Sequence, residues 1–147
     1  MSMVDMTSKP ESYREATAKG RIKLRAETVK RIKEGKIEKG DPIFTARIAG
    51  ILAAKNTSSI IPLCHPIPIT NVKVDVRAAG SNMVEVESTI KTKAQTGVEM
   101  EALLATAVAL LTIWDMTKQY EKDASGQYPH TAIMDIRVTS KVKEQLR

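Results

Sequence analysis

Residues 97–120 read GVEMEALLATAVALLTIWDMTKQY, a long and almost uninterrupted helical pattern. No side chain from Ala102 to Trp114 is charged, and apolar residues occupy nearly every side of the helix, so a sheet must cover one side and another surface the other. This uncharged segment is shorter than the ~20 residues that cross a bilayer, which indicates a buried helix. A chain of 147 residues has little left to supply the second cover, so we expect oligomerisation.

Segments on both sides of this helix alternate with a period of two residues, which predicts strands with one buried face. Residues 72–77 and 84–90 alternate between apolar and polar side chains, and AAGSN at residues 78–82 joins them as a hairpin. Residues 132–138 alternate again as a closing strand, and RIKL at residues 21–24 predicts a short first strand.

Two shorter helices are predicted before the hairpin. One covers residues 26–34 and stops at Gly35. Asp41 followed by Pro42 starts the other, because the carboxylate caps free amides and proline needs no donor at the first helical position. This second helix is expected to end near Asn56. Its apolar face is predicted to consist of Phe44, Ile48, Ile51 and Leu52.

The order strand, helices, strand, strand, helix, strand predicts an α+β fold, a ferredoxin-like antiparallel sheet with helices packed on one face. The chain length favours a single domain. We expect this domain over residues 19–140, after a mobile N-terminal arm of residues 1–18 and before a solvated tail of residues 141–147.

Composition narrows the class of protein. The net charge of +6 favours anionic ligands without naming one. One Phe and one Trp leave few rings for stacking on bases, which argues against nucleic acid as a partner. A single Cys excludes an intramolecular disulfide, and MSMVDMTSKPESYRE at the start lacks an apolar signal core, so a cytoplasmic protein without membrane contact is expected.

His65 and Cys64 lie in IPLCHPIPIT at residues 61–70, where three prolines favour a stiff, extended segment. An imidazole on such a segment suits proton transfer or the binding of a polar ring. A histidine that merely hydrogen-bonds within a turn is an equally good interpretation. Two His and one Cys make a poor ligand set, so no metal site is expected.

Both ends of the long helix carry candidate functional groups. Glu99 and Glu101 occupy its first turn, where the helix dipole favours carboxylates, so simple electrostatics can explain Glu99. Asp115 and Lys118 are three residues apart on one face and end the apolar segment, where acids and bases are often perturbed. Glu101 and Asp115 are ~21 Å apart along the helix, which indicates a composite pocket between subunits if both are functional.

Several cationic side chains are candidate phosphate ligands, since arginine binds phosphate in a bidentate manner and lysine acts as a point charge. Each of them alone is more commonly a solvated surface charge. The sequence has neither a GxxxxGKS/T loop nor a GxGxxG motif, so side chains would have to hold a triphosphate. The candidates are Arg14, Lys39, Arg47 and Lys55.

Taken together, five segments resemble the molybdenum cofactor biosynthesis protein C (MoaC) family, the cyclic pyranopterin monophosphate synthases. The resemblance covers about Met3 to Val138, and PLCHP, GVEMEAL and xDMxK recur in the family's order and spacing. The segments are MVDMTSKP at 3–10, KGD at 39–41 with ARIAGILAAK at 46–55, IPLCHPIPIT at 61–70, TGVEMEALLATAVALLTIWDMTK at 96–118 and MDIRV at 134–138.

The resemblance implies a lyase that converts 3′,8-cyclo-7,8-dihydroguanosine triphosphate into cyclic pyranopterin monophosphate and pyrophosphate. It also implies a homohexamer built as a trimer of dimers, with active sites at the dimer interface. A radical S-adenosylmethionine GTP cyclase would act upstream and supply this nucleotide-derived substrate. The reaction is a rearrangement with elimination, so no redox cofactor is expected, although a divalent cation such as Mg²⁺ could accompany the triphosphate.

By motif, the resemblance implies an acid/base pair of Asp115 and Lys118, with Lys39 as a second catalytic amine. His65 and Glu101 would hold the pterin-forming ring, His65 with a catalytic role as well. The implied lining of the pocket is Leu63, Cys64 and Met100, with Arg14, Arg47 and Lys55 toward the anionic end of the substrate.

Two features depart from the family pattern. The loop at residues 123–129 is longer than usual, and KVKEQLR at residues 141–147 replaces the expected Gly/Ser/Lys-rich tail.

Two classes of protein remain as alternatives. One is a non-catalytic nucleotide- or RNA-binding module, favoured by the basic composition, and the other is a purely structural oligomer.

Overall fold

The structure is a computed structural model that describes residues 1–146. Arg147, the last residue of the predicted tail, lies outside the described residues. The described elements are β1 (Ser12–Lys23), α1 (Ala26–Lys33), α2 (Pro42–Lys55), α3 (Thr57–Ile60), β2 (Ile69–Ala78), β3 (Met83–Ala94), α4 (Glu99–Glu121) and β4 (Ala132–Gln145).

The four strands form one sheet in the order β2-β3-β1-β4, and every neighbouring pair is antiparallel. β1 lies inside the sheet, where Ile22 pairs with Val84 of β3 and with Ile133 of β4. The order of strands and helices along the chain, with this arrangement in space, is that of a ferredoxin-like fold. The predicted α+β class is therefore confirmed.

One face of the sheet carries the core. Alternate residues of β1 and β3, such as Ala18, Ile22 and Val86, are fully buried against the helices. α4 lies across β1, β3 and β4, and α2 packs beside it over β2. The opposite face carries ion pairs such as Lys19 with Glu87. The helices thus cover one face, as predicted, and the other face is polar.

Helix α4 is long and apolar enough to cross a membrane by length and composition alone, and half of its most apolar window is buried inside the chain. Ala105, Leu110 and Ile113 on one side of it are completely buried in the core. α4 is therefore the core helix of this fold, as its sequence predicts. Its opposite side is only partly covered, since Leu111 is 57% exposed.

The predicted buried face of α2 is wrong for three of its four residues, whereas Ile51 packs, partly buried, against the core. Phe44, Ile48 and Leu52 are 59%, 44% and 54% exposed, and small residues such as Ala46 and Gly50 are buried instead. The reason is close helix packing, because a Cβ on Gly50 would lie 3.1 Å from the Ala105 carbonyl oxygen of α4. The start of the helix is as predicted, since Asp41 Oδ1 accepts from the Ile43 and Phe44 amides. The Phe44, Ile48 and Leu52 side chains remain on the surface of the single chain.

The predicted limits of the arm and the tail also need correction. β1 begins at Ser12, so residues 12–18 belong to the sheet. β4 continues to Gln145, and its last residues pair with the first residues of β1, for example Lys143 with Arg14. β1 pairs with a neighbouring strand on each side. This backbone pairing makes the strand longer than the pattern of its small and polar side chains predicts.

Candidate active site at the two ends of helix α4

Helix α4 carries the predicted functional groups at opposite ends. Glu101 lies in its first turn and Asp115 in its last two turns. The 14 residues between them correspond to ~21 Å along a helix that rises 1.5 Å per residue. The structure therefore brings the candidate residues together in two groups, which we name the α4 C-terminal cleft and the α4 N-terminal cleft.

The α4 C-terminal cleft centres on Asp115, which binds two lysines. Lys118 Nζ lies 3.0 Å from Asp115 Oδ1, one helical turn away. Lys39, from the loop between α1 and α2, places its Nζ 3.2 Å from Asp115 Oδ2 and 3.1 Å from the Asp115 carbonyl oxygen. The Asp115–Lys118 pair was predicted from its helical spacing. The approach of Lys39 depends on the fold.

These contacts shift the pKa values of Asp115 and Lys118 in the directions that favour their charged forms. Hydrogen bonds from Lys118 and then from Lys39 hold the pKa of Asp115 below its ordinary value. The same bond to Asp115 raises the pKa of Lys118 above its ordinary value. At neutral pH the cleft therefore holds an ionised carboxylate between two ammonium groups.

Apolar side chains form the wall of this cleft. A concavity of about 450 Å³ is lined by Asp115 and Lys118 together with Leu111, Trp114 and Ile133. The Trp114 ring packs at 5.2 Å between centroids against Tyr128, which lies in the loop between α4 and β4. The cleft thus combines a charged end with an apolar wall, as sites for small molecules do.

The α4 N-terminal cleft has a similar size, about 450 Å³, and joins the 61–70 segment to the start of α4. His65 lines it, and His65 Nε2 lies 2.7 Å from the Val4 carbonyl oxygen. The chain start thus lies over the cleft. The lining residues are Val4, Met6, Lys9, Ile61, Leu63, Cys64, His65, Thr96, Gly97, Glu99 and Met100.

Glu101 is almost completely buried, with 2% of its surface exposed. Its Oε1 has no hydrogen-bond partner among the described residues. Burial raises the pKa of Glu101, and the neighbouring Glu99 charge adds to this effect. Burial also raises the pKa of the Cys64 thiol, with a further contribution from Glu101. A buried acid with an unused oxygen is the strongest sign of function at this end of α4.

Glu99 is more than a helix-start charge. It lines the α4 N-terminal cleft and forms an ion pair with Lys141 of β4. Burial acts to raise the pKa of Glu99, but the Lys141 hydrogen bond and the Arg14 charge keep it below its ordinary value. Arg14 Nε is itself buried without a partner among the described residues.

Sequence reasoning missed Lys9 and Lys141 as cations of this end of the molecule. Lys141 was assigned to a solvated tail, although TSKVK at residues 139–143 still contains alternating Val and polar residues that could have indicated a longer strand. Arg47 and Lys55 lie on exposed positions of α2 and line neither cleft of the single chain. Their predicted substrate contacts stay predictions.

No group of three or more His, Cys, Asp or Glu side chains within residues 1–146 is placed to hold a metal ion. The predicted absence of a resident metal or cofactor stays a prediction. The donors of the two clefts are carboxylates, amines and an imidazole, which are the groups used for proton transfer.

Comparison with known proteins identifies the family of this chain. The model of the MoaC family matches residues 3–144. A probable cyclic pyranopterin monophosphate synthase of Pyrococcus furiosus is 55% identical over 145 residues, covering 99% of this chain and 92% of the relative. Proteins of the same name from Saccharolobus solfataricus and Sulfurisphaera tokodaii are 54% and 55% identical, covering 97% and 96% of this chain and 95% and 93% of the relatives.

The fold and these relatives define a ferredoxin-like enzyme, which carries carboxylate, amine and imidazole side chains at the two ends of one core helix. The chain belongs to the MoaC family. The family, the enzyme class and the synthase function predicted from the sequence are therefore confirmed.

Proposed function

We propose that this chain performs the synthase reaction in a site assembled from two subunits, the α4 C-terminal cleft of one and the α4 N-terminal cleft of its neighbour. The substrate is 3′,8-cyclo-7,8-dihydroguanosine triphosphate, and the products are cyclic pyranopterin monophosphate and pyrophosphate. The observation that carries the proposal is the Lys39–Asp115–Lys118 cluster, in which one ionised carboxylate contacts two ammonium groups beside a concave apolar wall.

In this proposal the α4 C-terminal cleft moves protons. Opening and reclosing a purine-derived ring needs several proton transfers, and Asp115 can accept a proton while either lysine donates one. Lys118 and Lys39 also supply positive charge where pyrophosphate leaves, and such charge is most effective when it is held in place before the reaction. Their contacts with Asp115 hold both amines in place.

The α4 N-terminal cleft binds the ring. Glu101 does not line this cleft in the free chain, but it directly follows the lining residue Met100, and its Oε1 has no hydrogen-bond partner among the described residues. In the proposal it hydrogen-bonds to ring nitrogens or an amino group, and His65 shares or transfers a proton at the same ring. Leu63, Cys64 and Met100 provide the walls. The candidate contacts for the anionic end of the substrate are Arg14, Arg47 and Lys55.

Two observations support a composite site. One small substrate cannot contact both Glu101 and Asp115 of a single chain when they are ~21 Å apart. Large apolar side chains of α2 and α4, including Phe44, Leu52 and Leu111, are exposed on the single chain and suit a subunit interface. The proposed assembly is a homohexamer, a trimer of dimers, with the sites at the dimer interface.

The proposal includes the cellular setting of the reaction. A radical S-adenosylmethionine GTP cyclase would supply the substrate in the cytoplasm. No redox cofactor is required, because the conversion rearranges and eliminates without net oxidation. A divalent cation such as Mg²⁺ would enter with the triphosphate if one is used.

The test is an anaerobic assay with the purified cyclised guanosine triphosphate intermediate, in which cyclic pyranopterin monophosphate and pyrophosphate are both measured. Asp115→Asn and Lys118→Ala should each lower kcat at least about a hundredfold, because general acid–base catalysis contributes roughly that factor or more.

A matched control is the exposed ion pair Lys73–Asp75 on β2, whose Nζ–Oδ2 distance is 3.6 Å. Asp75→Asn and Lys73→Ala should retain wild-type turnover. Absence of turnover by the folded wild-type oligomer would contradict the proposed reaction. If such an oligomer instead bound RNA in a salt-sensitive manner, a binding module would be the better description.

A further inference from the structure

The loop that carries Lys39 packs little of its own surface against the core. It connects α1 to α2, and Ile37 is the residue in it that is buried in the core, with 7% of its surface exposed. The Gly40 amide donates to the Ile37 carbonyl oxygen at 3.1 Å, and Gly40 has a φ of 122°, so a tight turn presents Lys39. A lysine side chain is flexible, so the position of its ammonium depends on how firmly this turn is held.

The last turns of α4 hold the turn that contains Glu38 and Lys39. Tyr120 Oη accepts a hydrogen bond from the Glu38 amide at 2.9 Å. Gln119 Nε2 donates to Glu38 Oε2, also at 2.9 Å. Glu38 directly precedes Lys39, and Tyr120 follows Asp115 by five residues on the same helix. One helix therefore holds both the carboxylate and the loop that brings Lys39 to it.

Tyr120 is itself fixed from other directions. The Arg31 guanidinium lies 4.7 Å from the centre of the Tyr120 ring, a cation–π contact. Arg25 Nη1 donates to the Tyr120 carbonyl oxygen at 2.9 Å. Neither contact involves the phenol oxygen. The hydroxyl can therefore be removed without loss of the contacts that place the ring.

We propose that Tyr120 is a positioning residue of the synthase reaction, whose hydroxyl, together with Gln119, holds the Glu38–Lys39 turn so that the Lys39 ammonium stays on Asp115. This inference rests on the proposed role of the Lys39–Asp115–Lys118 cluster.

The first test is Tyr120→Phe in the full-length oligomer. One hydrogen bond to the turn is lost, so kcat should fall about fivefold while KM stays nearly unchanged. Gln119→Met, which removes the other contact to Glu38, should change kcat in the same direction. The control is Tyr13→Phe, which removes a hydroxyl bonded at 2.9 Å to Glu15 on the polar face of the sheet and should leave kcat unchanged.

A second readout does not need turnover. Two charged groups contact Asp115, Lys118 from α4 and Lys39 from the turn, and Tyr128 faces Lys118 from the following loop. Loss of the Lys39 contact should raise the pKa of Asp115 toward its ordinary value. Carbon-13 NMR of the Asp115 carboxyl should therefore give a higher titration midpoint in Tyr120→Phe than in the wild type or Tyr13→Phe.

A double-mutant cycle separates positioning from general stability. If Tyr120 acts through Lys39, Tyr120→Phe should cause no further loss of kcat in a Lys39→Ala background. An additive loss, or an unchanged kcat and Asp115 midpoint in the single variant, would overturn the inference. If Lys39→Ala itself keeps wild-type turnover, the proposed role of Lys39 fails, whereas the NMR midpoint still decides whether Tyr120 positions it.

Discussion

Glu101 and Asp115 are acidic residues of the same helix in opposite environments. Asp115 is exposed and contacts two lysines, so its charged form is favoured. Burial raises the pKa of Glu101, which favours its neutral form, and its Oε1 has no hydrogen-bond partner among the described residues. The surroundings of the two acids thus push their pKa values in opposite directions. This contrast is consistent with the proposed roles, in which Asp115 transfers protons and Glu101 holds the ring.

The Glu101 environment predicts a stability cost in the free protein. Burial raises the pKa of Glu101 in the folded state above its ordinary value in the unfolded chain. The cost in folding free energy is therefore fully present above the raised pKa. It decreases as the pH falls through the raised pKa and is absent below the ordinary pKa. Glu101→Gln should therefore increase the free energy of unfolding at pH 7 by about 1 kcal/mol, and the difference should vanish near pH 4.

Urea denaturation of the wild type and the variant at the two pH values measures this difference. The exposed Glu27 of α1 offers a control, since Glu27→Gln should change stability little at either pH. A Glu101→Gln protein that is less stable than the wild type at pH 7 would mean that the buried carboxylate is well solvated or paired in the oligomer.

At the scale of elements, the approach of α4 to β1 depends on the absence of a side chain at Gly20. A Cβ there would lie 2.8 Å from Leu110, 2.9 Å from Ile136 and 3.0 Å from Thr106. Gly20→Ala should lower the free energy of unfolding by about 2 kcal/mol, the usual effect of overpacking a filled core. Chemical denaturation measures it, and an unchanged midpoint would show that α4 can move away from the sheet without cost.

Elements with strong local signals could be predicted from the sequence. The β2–β3 hairpin alternates with large apolar residues, and α4 has a long apolar segment, so both were located within a few residues. The start of β1 was missed because its buried residues include Ser12, Ala16 and Ala18, whose small side chains give a weak pattern. The end of β4 was missed because its side chains are mostly polar there and backbone pairing with β1 forms the strand.

The candidate site divides in the same way. The Asp115–Lys118 contact follows from helical spacing and needs no tertiary information. Contacts such as Glu99 with Lys141, or Tyr120 with the Glu38 amide, join residues far apart in sequence, so only the fold reveals them. Lys39 was a candidate because of its motif, but the sequence did not predict its contact with Asp115.

At the scale of the whole molecule, the candidate residues of a single chain lie in two separate groups at the two ends of α4. In the proposal, the Lys39–Asp115–Lys118 cluster supplies the charges for proton transfer and pyrophosphate release. The buried Glu101 and His65 of the α4 N-terminal cleft would hold the ring. The exposed apolar surface of α2 and α4 offers the contact through which a second chain could join the two. The central claim is therefore that subunits share each active site.

Subunit complementation tests this claim most directly. Asp115→Asn and His65→Ala chains, each inactive alone, are mixed by co-refolding and assayed for cyclic pyranopterin monophosphate. If each site takes Asp115 from one chain and His65 from another, random mixing restores about a quarter of the sites, because half of the dimers are mixed and one of their two sites has both native residues. Recovery of about that size is the predicted result. No recovery in a mixed oligomer of correct size would contradict the account, since it would place both residues of each site in the same chain.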